Sequence, residues 1–146
     1  MKKAVRAILT RDDKILVMHR KKFGQEYYTL IGGHVGISED TEQALVRELH
    51  EETGLKIKKA RLVMIEEAGA PYGTQYIYEC QDPGGDVEVQ ETSDEWHINQ
   101  GGNNIYEPMW VEIDELPKLP FRSEQLKQQI LRCLKEGYPA EVIRVE

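Results

Sequence analysis

The sequence predicts an α/β domain, one mixed sheet covered by helices on its faces, and three observations predict it. Short β-branched and apolar runs fill the first 31 residues and recur between residues 60 and 113. Between them lies a segment, Asp40 to Thr53, that carries helix signals at both ends. A second such segment, Ser123 to Lys135, closes the order. Strands, helix, strands, helix is a sequence in which each apolar face must be buried against another layer, which gives an α/β or α+β arrangement with its topology left open.

Each element has a local cause. Val5 to Leu9 and Lys14 to Met18 are apolar runs around the polar cluster Thr10-Arg11-Asp12-Asp13, which predicts an opening β-hairpin. Tyr27 to Ile31 reads as a strand ended by Gly32-Gly33, where glycine permits positive φ or close backbone approach. In the first helix Asp40 is the N-cap, Gln43 completes a capping box and Gly54 stops the chain. Ala60 to Glu66, Thr74 to Cys80 and Met109 to Ile113 read as strands, with turns at residues 82–86 and 100–104. Ser123 opens the last helix and Gly137 closes it. No repeat, linker or low-complexity stretch interrupts the chain, so residues 1–146 read as one domain.

Composition removes several functions. Nineteen Lys and Arg against 26 Asp and Glu give a net charge of −7, which argues against an extended nucleic-acid partner. Apolar runs such as Ile15 to Met18 are strand-sized and exclude a membrane span. Arg6, Arg11, Asp12 and Asp13 interrupt any signal-peptide core, and Cys80 and Cys133 have neither metal spacing nor a disulfide framework. The expected setting is a reducing cytoplasm, and the expected state a monomer or homodimer.

The first helix is where the chemistry concentrates. At 100° per residue, Glu51 lies about 60° to one side of Glu48 and Glu52 about 40° to the other, while Ala44, Leu45, Val46 and Leu49 occupy the same or neighbouring arcs. The acidic stripe is therefore expected to border the buried face. Carboxylates at i, i+3 and i+4 repel one another by a few tenths of a kcal/mol per pair. A hard divalent cation relieves that repulsion, and Mg²⁺ is commonly held by a few carboxylates while it keeps waters and phosphate oxygens. A bare ExxEE is by itself more often a solvated acidic face.

The surroundings change that balance. Gly33, Glu39 after five intervening residues, and Arg47-Glu48-Leu49-His50-Glu51-Glu52-Thr53-Gly54-Leu55 after seven more match Gx5Ex7REUxEExGU, U being aliphatic. Chance occurrence is on the order of 10⁻⁸ to 10⁻⁷ for ordinary residue usage. The chain thus resembles the Nudix hydrolase family over Gly33 to Leu55. The resemblance implies an α/β/α sandwich, a loop-helix-loop catalytic element and Mg²⁺- or Mn²⁺-dependent cleavage of a diphosphate linkage in a nucleoside diphosphate derivative. It implies Glu48, Glu51 and Glu52 as metal ligands, Glu39 as a supporting carboxylate, Arg47 as the salt-bridge partner orienting them, and Gly33 and Gly54 as hinges. Family members often recruit a further Glu as ligand or general base, and Glu107, before Pro108-Met109-Trp110-Val111, is the candidate here. Glu91, Asp94 and Glu95 compete for that part, as does direct activation by Glu51 or Glu52.

This chain departs from common family patterns at Ile31, where Pro is frequent, and at Gly36-Ile37-Ser38. Neither change touches a metal ligand. Pro71 and Tyr72 stand 16 and 17 positions after the box, a pair whose subclass implications, ADP-ribose against dinucleoside polyphosphate, contradict each other. Phe121-Arg122-Ser123 stands where hydrolases of oxidised guanine nucleotides often have Asn. Substrate-binding candidates are Arg6, Arg20 and His34 for phosphate, Gly33 for close approach, and Tyr27, Tyr28 and Tyr72 for base stacking. The reading favours a pyrophosphohydrolase of a (d)NTP-like small nucleotide, because the chain is compact. Its rivals are an ADP-ribose or NDP-sugar hydrolase, a dinucleoside polyphosphate hydrolase, and a non-catalytic nucleotide-sensing module. Isoprenoid-diphosphate isomerisation on the same fold is disfavoured by the positions of the two cysteines.

Overall fold

A computed structural model of the chain describes residues 2–89, 98–102 and 104–146. Its strands are β1 (Lys3–Arg11), β2 (Lys14–Lys22), β3 (Gln25–Thr29), β4 (Ile31–His34), β5 (Ala60–Glu67), β6 (Thr74–Cys80), β7 (Asn104–Glu112) and β8 (Ile143–Val145). Among the described residues the helices α1 (Thr41–Thr53) and α2 (Glu124–Glu136) accompany them.

The opening hairpin holds only at its tip. Thr10 pairs with Ile15 and Arg11 with Lys14, and beyond these pairs the two strands take different neighbours. β1 pairs antiparallel with β4 and parallel with β6, while β2 pairs with β3 and with the whole of β7. β5 lies antiparallel to β6 and parallel to β8, so the sheet is mixed. Strand alternation sorts the core into two halves. Val5, Ala7 and Leu9 of β1 pack with Leu45 and Leu49 of α1, whereas Ile8 packs with Leu126, Ile130 and Cys133 of α2. A helix therefore covers each face, which is the expected α/β/α sandwich.

Three local expectations need correction. The run Tyr27 to Ile31 is two strands, broken at the buried Leu30, whose carbonyl accepts from Arg6 Nη1 at 3.2 Å. The break is where the chain leaves β2 as its neighbour and joins β1. The strand placed at Met109 to Ile113 starts at Asn104 and ends at Glu112, and Ile113–Lys118 is a 3₁₀ turn that buries Leu116. Pro108 is tolerated there because, among the described residues, β7 pairs with β2 alone. Val46 is 45% exposed and so lies off the buried face of α1. The three-residue β8 is too short to show a period in the sequence.

Candidate active site

Both ends of α1 are fixed by its own sequence. Asp40 accepts from the Gln43 N–H at 2.8 Å, and the Gln43 side chain accepts from the Asp40 N–H at 2.9 Å. At the other end Gly54, at φ 77°, donates to the His50 carbonyl at 2.8 Å. The helix register is thus pinned, and with it the bearing of Glu48, Glu51 and Glu52.

Those acids are more buried than the helical wheel suggests. Glu48 is 7% and Glu52 3% exposed, so the expected acidic border has two of its three members inside. The reason lies in β4. Gly32 donates its N–H to Glu52 Oε2 at 3.0 Å, and Gly33 has no side chain where Glu48 sits, since a Cβ there would lie 2.5 Å from its Oε2. Gly33 makes room for the Glu48 carboxylate, the Gly32 backbone N–H binds that of Glu52, and the missing side chain of Gly32 lets β4 lie close to Val5 of β1.

Arg47 organises the outer half. Its Nε and Nη2 hold Glu39 at 2.6 and 2.8 Å in a two-pronged pair, Nη1 donates to Glu48 at 2.9 Å and Glu51 at 3.2 Å, and Nη2 also reaches the His34 carbonyl at 3.0 Å. Glu39 accepts the Gly36 N–H as well, at 2.7 Å. The Arg47 guanidinium first, and that backbone bond second, lower the Glu39 carboxyl to about 2. Arg47 in turn is raised, chiefly by Glu39.

Arg6 comes from the opposite face. Like Ile8 it alternates away from α1, and its register partner on β4 is Gly32. It donates through Nε to Gln75 at 2.9 Å and through Nη1 to Leu30. Burial lowers its pKa against the pull of Glu52, Glu48 and Glu66. Arg6 thus shares an electrostatic field with the helix carboxylates although its side chain stands on the other face of the strand.

The remaining expected residues scatter. His34 is exposed and, with Lys2, Lys3, Gly36 and Glu39, lines a cavity of about 490 Å³ next to the glycine pair. Arg20 packs over the Tyr106 ring at 3.6 Å and donates to the Ile105 carbonyl at 3.1 Å, a role in holding β7. Tyr28 stacks on His19, 4.8 Å between centroids. Glu107 lies 3.0 Å from His19 Nδ1, and the buried Nε2 of that ring is 3.6 Å from Glu26. The carboxylate of Glu107 is therefore committed to His19 and not to Arg47. Glu91, Asp94 and Glu95 lie outside the described residues.

Sequence reasoning missed Glu66, Gln75 and Arg122. Glu66 is 7% exposed and accepts a hydrogen bond from Ser123 Oγ. Gln75, between Arg6 and the Tyr72 carbonyl, donates to the latter at 3.0 Å. Arg122 lies over Tyr27 at 4.2 Å and Tyr72 at 5.1 Å, and donates to the Tyr72 hydroxyl at 2.5 Å. One signal was present: Glu66 follows Val63-Met64-Ile65 within a strand, where an acid has to be accommodated indoors.

The donor set suits a hard cation. Glu48, Glu51 and Glu52 offer only oxygens within about one helical turn, and Glu48 and Glu52 lie against the two glycines of β4. Among the described residues no three His, Cys, Asp or Glu are already drawn together for a metal ion, because Glu48 and Glu51 share Arg47 Nη1 and Glu52 takes the Gly32 N–H. Among these residues, too, no helix is long and apolar enough to cross a membrane.

Comparison with known proteins follows the same lines. The family model of the NUDIX domain matches residues 1–132. A curated relative, the NAD-capped RNA hydrolase NudC of Stutzerimonas stutzeri (strain A1501), is 28% identical over 133 residues, 91% of this chain and 42% of the relative. The chain thus spans about two fifths of the length of such relatives. Among solved structures, a NUDIX hydrolase from Nitrosomonas europaea has a TM-score of 0.69 at 23% identity, covering 95% of this chain and 93% of that one. An ADP-ribose pyrophosphatase from Streptococcus suis 89-1591 has a TM-score of 0.66 at 22% identity, covering 98% and 96%. These two likenesses establish the fold.

Proposed function

The chain belongs to the NUDIX family, and from that premise we propose that it is a divalent-cation-dependent pyrophosphohydrolase of nucleoside diphosphate derivatives, with a (d)NTP-like small nucleotide as the favoured substrate. The observation that carries the reading is the burial of Glu48 and Glu52 against Gly33 and the Gly32 N–H, with Glu51 on the same helical turn and Arg47 bonded to Glu48 and Glu51.

Glu48, Glu51 and Glu52 would hold Mg²⁺ or Mn²⁺. When bound, the ion supplies charge neutralisation of the polyphosphate, a water of lowered pKa and stabilisation of the leaving phosphate. Arg47 keeps Glu48 and Glu51 turned to one side, and Glu39, ionised under Arg47, neutralises that guanidinium and anchors it. Arg6, held by Gln75 and the Leu30 carbonyl on the other face of the strand, offsets the negative charge of Glu48 and Glu52. Two carboxylates are open enough to take the proton of the attacking water. Glu51, 35% exposed and beside Glu48, is assigned the part, and Glu107, 59% exposed and on His19, is the alternative. Lys2, Lys3 and His34 around the neighbouring cavity favour a substrate with further phosphates beyond the cleaved linkage.

A second reading comes from the relatives. NudC acts on NAD-capped RNA by its name, so a dinucleotide-type diphosphate is the competing substrate, alongside ADP-ribose or an NDP-sugar. A panel of these compounds and (d)NTPs, incubated with Mg²⁺ in ¹⁸O water with product identification, tests both. Turnover of (d)NTPs above the others supports the first reading, turnover confined to dinucleotides the second. Tight binding without turnover of any member would leave only a nucleotide-sensing module.

A further inference from the structure

The two hairpin tips of the fold obey different turn chemistry. At the β1–β2 tip the residue at positive φ is Asp12, at 54°, and aspartate tolerates that conformation. At the β2–β3 tip Phe23 stands at φ 47° and Gly24 at 87°, a two-residue turn between the paired Lys22 and Gln25. Such turns favour Asn-Gly or Asp-Gly, because a bulky side chain is strained at positive φ. Packing does not offset that strain, since Phe23 is 74% exposed and, among the described residues, its ring stacks on no other ring and carries no cation. A strained aromatic in water does little for the fold, and such outliers gather where ligands are held.

The surroundings of the tip are basic. Lys21 and Lys22 are exposed, and among the described residues neither has an ion pair; Glu26, opposite Lys21, lies 3.6 Å from His19 instead. Along β2, Leu16 and Met18 pack on the α1 side, and Arg20 and Lys22 continue that row beyond the core. Arg20 covers the Tyr106 and Tyr27 rings, at 3.6 and 5.8 Å, so of the rings on this track Phe23 is the open one.

We propose that the Phe23 tip binds single-stranded nucleic acid, one base stacking on the open ring while Lys21 and Lys22 meet the phosphates on either side of it. The inference deepens the nucleotide hydrolase reading and rests on it for its purpose: the strand is the body of a substrate whose terminal nucleotide enters on the α1 side. The warrant is a matching of parts. Every base has a face that stacks on an aromatic ring, and exposed cations beside that ring serve the backbone. A duplex hides its base faces and so cannot use Phe23, which agrees with a net charge of −7 that disfavours broad contact with a double helix. An anionic lipid surface is the weaker fit, because one ring and two lysines give only marginal hold on a bilayer.

Binding is read by fluorescence anisotropy on the full chain without divalent metal, using an end-labelled mixed-sequence RNA of about ten nucleotides, alone and annealed to its complement, over a salt series. The single strand is expected to bind at least about tenfold tighter than the duplex. F23N should weaken it by about tenfold, the worth of one stacked base, and should melt roughly 2–4 °C higher than the wild type because asparagine accepts positive φ. The paired substitution K21Q and K22Q should reduce the slope of log affinity against log salt by about 1.4, two single-strand phosphates. An F23N variant that binds as the wild type does, or that melts lower, overturns the proposal, as does an unchanged salt slope. Binding of phosphatidylserine vesicles in place of the RNA overturns it too and gives the tip to a membrane. Turnover of free nucleotides with Mg²⁺ is measured separately. Cleavage without strand binding sinks the tip and leaves the hydrolase, whereas strand binding without cleavage upholds the tip and sinks the hydrolase.

Discussion

Gly33 and Glu48 are so close that a Cβ on the glycine would lie 2.5 Å from both the carboxylate carbon and Oε2 of the acid. Gly33→Ala must therefore move the Glu48 carboxylate. A displacement of about 1 Å in a reacting group costs on the order of hundredfold in rate, and overpacking costs about 1–3 kcal/mol. Steady-state kinetics and a thermal melt read the two effects, and an alanine variant with wild-type turnover would refute the placement of Glu48 in the site.

Glu52 distinguishes charge from hydrogen bonding. Glu52→Gln keeps an acceptor for the Gly32 N–H but loses the charge, so turnover should fall by about a hundredfold or more, as loss of a metal ligand predicts, with the melt little changed. Glu52→Ala also leaves that buried N–H without its partner, which costs about 1–3 kcal/mol. The pair of variants, melted side by side, should differ by that amount.

Glu39 makes acid stability depend on Arg47. Its carboxyl is depressed to about 2, against roughly 4.3 in an unfolded chain, so its contribution is present above about pH 4.3 and disappears as pH falls toward 2. Wild type should melt above Glu39→Gln at pH 6, with the gap closing between pH 4.3 and 2. A gap constant across that window would show that Glu39 is not ionised by its partner.

Glu51→Gln and Glu107→Gln decide which carboxylate accepts the proton. With Glu107 on His19, its amide variant should lower kcat/KM by less than about tenfold, or 1.4 kcal/mol. Glu51→Gln should lower it by about 10²–10⁴, the usual range for a general base. The reverse order in pH–rate profiles would return the part to Glu107.

Burial first, and Glu79 second, push the Cys80 thiol up to about 12. Little thiolate exists at pH 8, so alkylation of Cys80 by iodoacetamide in the folded protein should be far slower than in the urea-unfolded chain. Equal rates, read by mass spectrometry, would contradict this burial.

The helix caps and the spacing from Gly33 to Leu55 were legible because they are local: Asp40, Gln43 and Gly54 act within a few residues of one another. The six strands read in advance carry apolar runs, and the break at Leu30 was hidden because it follows from a change of neighbour. Burial of Glu48 and Glu52 depends on glycines that are far along the chain but adjacent in space. Glu66 with Ser123, and Arg6 with Gln75, are 57 and 69 residues apart, and no periodicity reports such meetings.

The passage from Tyr27 to Gly32 breaks at Leu30, where the chain exchanges β2 for β1 as its neighbour. The residue count from that break decides which side of β4 meets the helix, and Gly33 stands against Glu48 because the count is kept. One inserted residue near Leu30 would swap the two faces of the strand and turn the glycine away from the acid.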